Sequence, residues 1–463
     1  MELRNHEEIR HATAALATGN GDALDRLVWT GVFGTGGLRD EARAAVLEQA
    51  RVQGLYPASI QGLYAARGRR ETPMDFTVPA INIRGMAYDT ARALMRARRA
   101  LDAGAVICEI ARSECSYTDQ RPAEYGFVML AAALREGCTG PVFIQGDHFQ
   151  VNAKRYAAGP EAELQAVQDI GREAVAAGFY NIDIDTSTLV DLSRPDLEAQ
   201  QELNGGLCAR LTAFIRSLEP QGVTISVGGE IGEVGGHNST PDELDAFMKV
   251  YRSALARIGR GLQGISKISI QTGTSHGGVP LPDGTVAQVK VDFGVIESLS
   301  KLAVERYGMA GAVQHGASTL PAELFDRFPR LGCVEIHLAT EFQNLIYDHR
   351  DFPADLKRAI YERLRRDAAD ERKAGDTDEQ FFYKTRKKAN GMFKRELWSL
   401  PLPVRTAIGR TLEDKFRFLL QKLQVAGTGA LAAKHAPFVP GSYPVMGGAA
   451  RGGAHEDVTG LAD

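Results

Sequence analysis

Cysteine is scarce in this chain, and what there is forms no pattern. The five residues (Cys108, Cys115, Cys138, Cys208, Cys333) include no CxxC pair, which argues against a disulfide scaffold and against a cysteine-based zinc finger. They read as reduced thiols of a cytoplasmic protein, several of them core residues. No apolar run reaches the roughly 18 residues that a membrane span needs. The opening stretch "MELRNHEEIRHATAALATGNG" is charged throughout and lacks an apolar signal core, which again points to the cytoplasm. Neither sign of charge dominates: 54 basic against 58 acidic residues give a net charge of −4. Such a balance exerts no global pull on nucleic acid or an anionic membrane. Histidine is sparse too, at 10 in 463 residues, so its placement carries information.

What is present is a rhythm that begins near residue 76. Apolar, β-branched runs alternate with helical stretches: "FTVPAINI" (76–83), "AVICEIAR" (105–112), "PVFIQGD" (141–147), "YNIDID" (180–185), "VTISVGGE" (223–230), "SKISIQTG" (266–273), "GAVQHG" (311–316) and "GCVEIHLAT" (332–340), each with a helical pattern after it. The runs lack the in–out alternation of a half-exposed strand, as strands of a parallel sheet covered on both faces should. The intervening segments carry apolar residues at helical spacing, for example Leu244, Phe247, Met248 and Tyr251. Eight β-then-α units predict an α/β protein whose core is a (β/α)8 TIM barrel, with an open doubly wound sheet as the competing topology.

The barrel is expected over 76–350, with extra helical segments at both ends. Residues 1–75 read as an N-terminal helical extension and 351–430 as a C-terminal one, followed by a Gly-rich tail, 431–463, expected to be disordered. "GTGG" (34–37) is a turn rather than a phosphate loop, because no strand leads into it and no Lys-Ser/Thr follows. The basic run 383–396 reads as a solvated helix face or a subunit contact.

Several strands end on residues that are costly to bury. "FIQGDHF" finishes on Asp147 and His148, "VTISVGGE" on Glu230, "SIQTGTSHGG" runs to His276, and "GAVQHG" ends on His315. In a (β/α)8 barrel these positions share the catalytic rim. Three histidines on one rim, each beside a glycine (Gly146, Gly277, Gly316), suit a divalent metal held by imidazoles, with glycine allowing close backbone approach.

In order along 76–341, "FTVPAINI", the serine of "ARSE", "GDHF", "NIDID", "GGEIG", "GTSHGG", "HGAS" and "EIHLATE" make a set that resembles the class II, zinc-dependent ketose-bisphosphate aldolases, the fructose- and tagatose-bisphosphate enzymes among them. The resemblance implies a lyase of carbohydrate metabolism, in glycolysis or beside it, that breaks or forms a C–C bond in a phosphorylated ketose. It implies that His148, His276 and His315 hold Zn²⁺ or another divalent ion, that Asp185 and Glu230 take a second or displaced metal, and that the site has room for a monovalent cation beside it. Asp147 would move the proton of the aldehyde oxygen. Asn82 and Ser113 would face the substrate, and Gly277, Gly316 and Ser318 its phosphate, with His337 and Thr340 on the same side. The partners implied are a small phosphorylated sugar and further copies of the chain, as a homodimer or homotetramer, with no nucleic acid and no membrane.

The chain also departs from that pattern. The lysine that usually follows the zinc histidine and contacts phosphate is missing: Val279 and Pro280 stand there, and the next lysine is Lys290. The asparagine usual before the threonine of the last strand is replaced by His337. The loop glutamate that moves the donor-carbon proton has Glu233 as its nearest counterpart, with His237 as a substitute base. The metal set is complete while the phosphate and proton-transfer positions have changed. Two other readings therefore stay open: a sugar-phosphate isomerase or epimerase using the same metal-enediolate chemistry, and a non-catalytic sugar-phosphate-binding relative.

Overall fold

The computed structural model describes residues 2–232, 237–273, 281, 291–318, 320–444 and 460–461. Nine parallel strands form one sheet: β1 (Leu55–Ala58), β2 (Val78–Asn82), β3 (Ile107–Ala111), β4 (Gly140–Gln150), β5 (Asn181–Asp185), β6 (Ser226–Glu230), β7 (Lys267–Ile270), β8 (Ala312–Gln314) and β9 (Glu335–Leu338). Each of β2 to β9 pairs with the next, and β9 returns to pair with β2, so eight strands close into a barrel. The expected (β/α)8 TIM barrel is the fold. Helices such as Ala87–Ala100, Pro122–Arg135 and Pro160–Ala176 alternate with the strands and cover the outside. This double cover explains why strands such as β2, β3 and β5 are buried on both faces along their whole length.

The strand β1, inside a segment expected to be helical, stands outside the ring. Phe143 is paired both with Ala58 of β1 and with Ile107 of β3, so β1 lies on the edge of β4 that β5 takes over at Gln145. Asn181 joins this seam. Its amide donates to Ala58 O (3.1 Å) and Ile144 O (2.9 Å), and its oxygen accepts from Ile60 N (2.8 Å). A four-residue strand containing Pro57 has little local signature and exists here because the long β4 offers it an edge.

The segments before and after the barrel pack on it and on one another. Three helices, His6–Ala17, Gly21–Phe33 and Gly36–Val52, precede it, the first two capped by Asn5 and Asn20, whose side chains accept from Glu8 N and Ala23 N. The helix Leu402–Lys422 lies along Ala87–Ala100, tied by Arg405 to Asp89 (3.2 Å) and by Arg96 to Glu413 (2.5 Å). Trp398 meets Phe33 edge-on at 5.4 Å and stacks on Tyr88 at 6.1 Å. The beginning of the Gly-rich tail is ordered rather than disordered: Gly429–His435 is helical, Ser442 O accepts from Tyr180, and Tyr443 donates to Leu47 O (2.9 Å). Two tyrosines thus anchor a stretch whose composition alone suggests none.

Candidate active site

Side chains alternate across a strand, so Asp147 and His148 should face opposite sides of the barrel wall. They do not, because β4 carries a bulge. Gly146 pairs with Ile182 and Phe149 with Ile184, so β4 spends one more residue than β5 over this interval. His148 sits at φ 39°, a left-handed conformation that a non-glycine residue adopts at a cost of about 1–3 kcal/mol. Gly146 allows the arrangement: a Cβ there would lie 2.5 Å from the Phe149 ring, which packs across it. The outcome is that Asp147 and His148 both reach the interior at the C-terminal end of the barrel, each 2 % exposed.

Around them the rim closes. His148 Nδ1 lies 3.1 Å from Asp185 Oδ2 and 3.4 Å from Glu230 Oε2. Asp185 is itself held by Ser187 Oγ (2.7 Å) and Gln150 Nε2 (2.5 Å). The His315 ring is 4.3 Å from that of His148 and 4.1 Å from that of His337, and His315 Nε2 is 3.0 Å from Ser269 Oγ. Asn82 donates through one amide nitrogen to Asp147 Oδ2 (3.0 Å) and Glu114 Oε2 (2.9 Å). Glu114 in turn binds Arg84 and Ala111 N (2.8 Å).

One layer below runs a second polar set. Lys267 Nζ, fully buried, donates to Gln145 Oε1 (2.8 Å), Asp183 Oδ2 (2.9 Å) and Glu335. Gln145 also donates to Glu109 Oε2 and Glu335 Oε1, both at 2.8 Å, and Tyr64 donates to Glu335 from beneath. Room for the lysine comes from Gly228, where a Cβ would lie 2.3 Å from Asp183 Oδ1 and 3.0 Å from Lys267 Cε. His337 bridges the two layers. Its Nδ1 is 3.1 Å from Asp147 Oδ1, and its Nε2 is 2.7 Å from Glu335 Oε1.

These contacts set the charges. Burial would raise the Asp147 carboxyl, but His148 and His337 overcome it and hold the group well below the usual range. Burial opposes a charged His337, yet the carboxylates of Glu109 and Asp147 push it well above its ordinary value. Burial, reinforced by Asp185, lifts Glu230 to about 7. Glu335, buried but beside Lys267, falls to about 2.

His148, Glu230 and His315 each offer a ligand atom within 4.8 Å of the others, and so do Asp147, His315 and His337. Imidazole and carboxylate donors at this spacing fit a divalent cation such as Zn²⁺. A profile of the family described as "Fructose-bisphosphate aldolase class-II" matches residues 72–396, well over half of the chain. The chain belongs to the class II aldolase family. It is a divergent member with helical extensions on both sides of the barrel, and the family makes it an aldolase-type lyase of carbohydrate metabolism. No curated protein sequence matches it. Among solved structures, a "probable tagatose 6 phosphate kinase" from Sinorhizobium meliloti 1021 shares the fold, with 16% identity, TM-score 0.53, and 80% of this chain and 96% of that one covered. The YdjI aldolase from Escherichia coli K12 matches with 13% identity and TM-score 0.48, covering 81% of this chain and 99% of that one. The fructose-bisphosphate aldolase from Campylobacter jejuni matches with 15% identity and TM-score 0.46, covering 79% and 95%.

The aldolase chain brings Asp147, His148, Asp185, Glu230, His315, His337 and Asn82 together. His276, Gly277 and Glu233 lie outside the described residues. Ser113 is buried in the short helix that follows β3, and Ser318 Oγ accepts from Ala339 N (2.7 Å), just before Thr340 opens the helix Thr340–Tyr347. Gly316 adopts φ 67°. His237 is paired with Glu243 (2.6 Å) at the first turn of Pro241–Ile258, its side chain half exposed. His337, expected beside the phosphate, is buried among Glu109, Asp147 and Glu335, a setting that suits a cation. Sequence reading missed the lower layer and the Arg84–Glu114 pair. The available signal was a lone charge inside three apolar runs: Glu109, Lys267 and Glu335.

No helix among the described residues is long and apolar enough to cross a membrane.

Proposed function

We propose that this aldolase is metal-dependent and cleaves or forms the C–C bond of a phosphorylated ketose, with dihydroxyacetone phosphate as the donor fragment. The observation that carries the reading is the bulge in β4, which sets Asp147 and His148 side by side at the rim beside His315 and Glu230. His148 and His315, with His276, would hold Zn²⁺. When bound there, the ion supplies the positive charge that stabilises an enediolate without a Schiff-base lysine. Asp185 fixes the His148 ring through Nδ1 and so orients its ligand face. Asp147, held ionised, takes the proton of the ketose C4 hydroxyl during cleavage and returns it to the aldehyde oxygen during condensation. Gly316, Ser318 and the first turn of Thr340–Tyr347, with Gly277, supply N–H and hydroxyl donors for one phosphate, which compensates for the missing lysine. The donor-carbon proton would pass to Glu233 or to His237, the latter after leaving Glu243.

The changed phosphate positions point to a modified ketose phosphate, or one with a single phosphate, rather than fructose 1,6-bisphosphate. The test is condensation of dihydroxyacetone phosphate with a panel of aldehydes, before and after chelation. Activity that disappears with the chelator and returns with Zn²⁺ is expected, and activity indifferent to metal overturns the reading. Isomer formation without C–C cleavage would favour an isomerase instead, and tight binding without turnover a sensor. Light scattering decides between a homodimer and a homotetramer.

A further inference from the structure

Asp147 has an unusual problem. It sits on a bulge, with a left-handed residue next to it, paired with Ala111 of β3 on one edge but with no ladder partner across β5 on the other. A carboxylate that must receive and return a proton at one point needs both its oxygens fixed, because a displacement of about 1 Å can cost about 100-fold in rate. The backbone at this place is held from one side only.

The barrel interior supplies a clamp. Asn82 Nδ2 holds Oδ2 at 3.0 Å, and His337 Nδ1 holds Oδ1 at 3.1 Å. The histidine ring is fixed from behind: its Nε2 is 2.7 Å from Glu335 Oε1. Glu335 is itself immobilised by Lys267, Gln145 and Tyr64. Both ring nitrogens of His337 therefore face carboxylates, so both act as N–H donors, and Glu109 Oε1 also stands 3.2 Å from Nδ1. The side chain is 5 % exposed.

We propose that His337 is a positioning residue of the aldol reaction, which acts through Asp147 by holding one oxygen of its carboxylate while Glu335 locks the ring. The inference rests on the proton-transfer role of Asp147 given above, and assigns the residue that replaces the family's asparagine to the acid rather than to the substrate.

The two short amides separate the roles of the ring nitrogens. Asparagine places its NH₂ where histidine has Nδ1, and glutamine places its NH₂ nearer Nε2. In His337→Asn the bond to Asp147 survives and the link to Glu335 is lost. In His337→Gln the reverse holds. Steady-state kinetics with the ketose phosphate should show kcat falling about 10–100-fold in His337→Gln, with KM little changed, and much closer to wild type in His337→Asn. Zinc content per chain should be equal in all three proteins. Equal kcat losses in the two variants, or a change confined to KM, would overturn the proposal. So would loss of zinc in both, which would make His337 a metal ligand. If the wild-type chain turned over no phosphorylated ketose, the aldolase reading would fail. Crystal structures would still decide the positioning role: the Asp147 carboxylate should turn away from its Asn82-bound orientation in His337→Gln and keep it in His337→Asn, and an unmoved carboxylate in both refutes it.

Discussion

The barrel interior holds two polar layers of opposite character, one strand step apart. The lower layer, Glu109, Gln145, Asp183, Lys267 and Glu335, carries its own cation, and Lys267 reaches three of its four partners. The rim layer, Asn82, Asp147, His148, Asp185, Glu230 and His315, gathers imidazoles and carboxylates at ligand spacing. Barrel interiors are commonly filled by Val, Ile and Leu. Here an ionic floor built round one lysine supports a donor-rich rim, and His337 links them. The difference separates stability from chemistry: the floor is complete as built, and the rim is arranged for a guest.

The comparison is broken most severely at Lys267. Truncation to Met removes the ammonium that Asp183 and Glu335 share and leaves them only the His337 ring as countercharge, and removal of one partner from a buried ion pair costs about 3–5 kcal/mol. Urea denaturation of Lys267→Met should show a loss of that order; a midpoint and slope like those of wild type would mean that the floor is not held by its lysine. Gly146→Ala probes the rim. Its new methyl meets the Phe149 ring, an overpacking worth about 1–3 kcal/mol, and relief requires the bulge to move. Catalytic activity should therefore fall by a larger factor than thermal stability would suggest, and full activity would show that the bulge does not place Asp147. The mildest probe lies at the far end of the barrel. Asn181→Ala removes the amide that stitches β1 to β4 and takes its hydrogen bonds from one backbone donor, Ile60 N, and two acceptors, Ala58 O and Ile144 O, at about 1–3 kcal/mol. Denaturation should register this while kcat stays at the wild-type value; a drop in kcat would mean the floor and rim are coupled through β5.

The sequence carried the barrel and most of its rim. Eight apolar-rich runs followed by helical patterns correspond to β2 to β9, because parallel strands under helices on one face and packed side chains on the other have no solvent-exposed face. Asp147, His148, Glu230 and His315 were legible as costly residues at strand ends beside glycine. The bulge was not, since it is a property of register between β4 and β5 rather than of either strand's composition. The ionic floor was also hidden. Glu109, Lys267 and Glu335 each read as an isolated charge in an apolar run, and Lys267 meets its partners 84 and 68 residues away only when the barrel closes. β1 escaped because four residues borrow their strand character from the edge of β4.

The contact of Phe33, Trp398 and Tyr88 has one more consequence. An indole from the segment after the barrel is seated between an aromatic ring from the segment before it and one from the first barrel helix, with Arg395 over Phe33 at 4.7 Å. The two flanking segments thus fasten to each other as a buckle does, across the first barrel helix. Opening either flank exposes the other, so both flanks should melt as one cooperative unit.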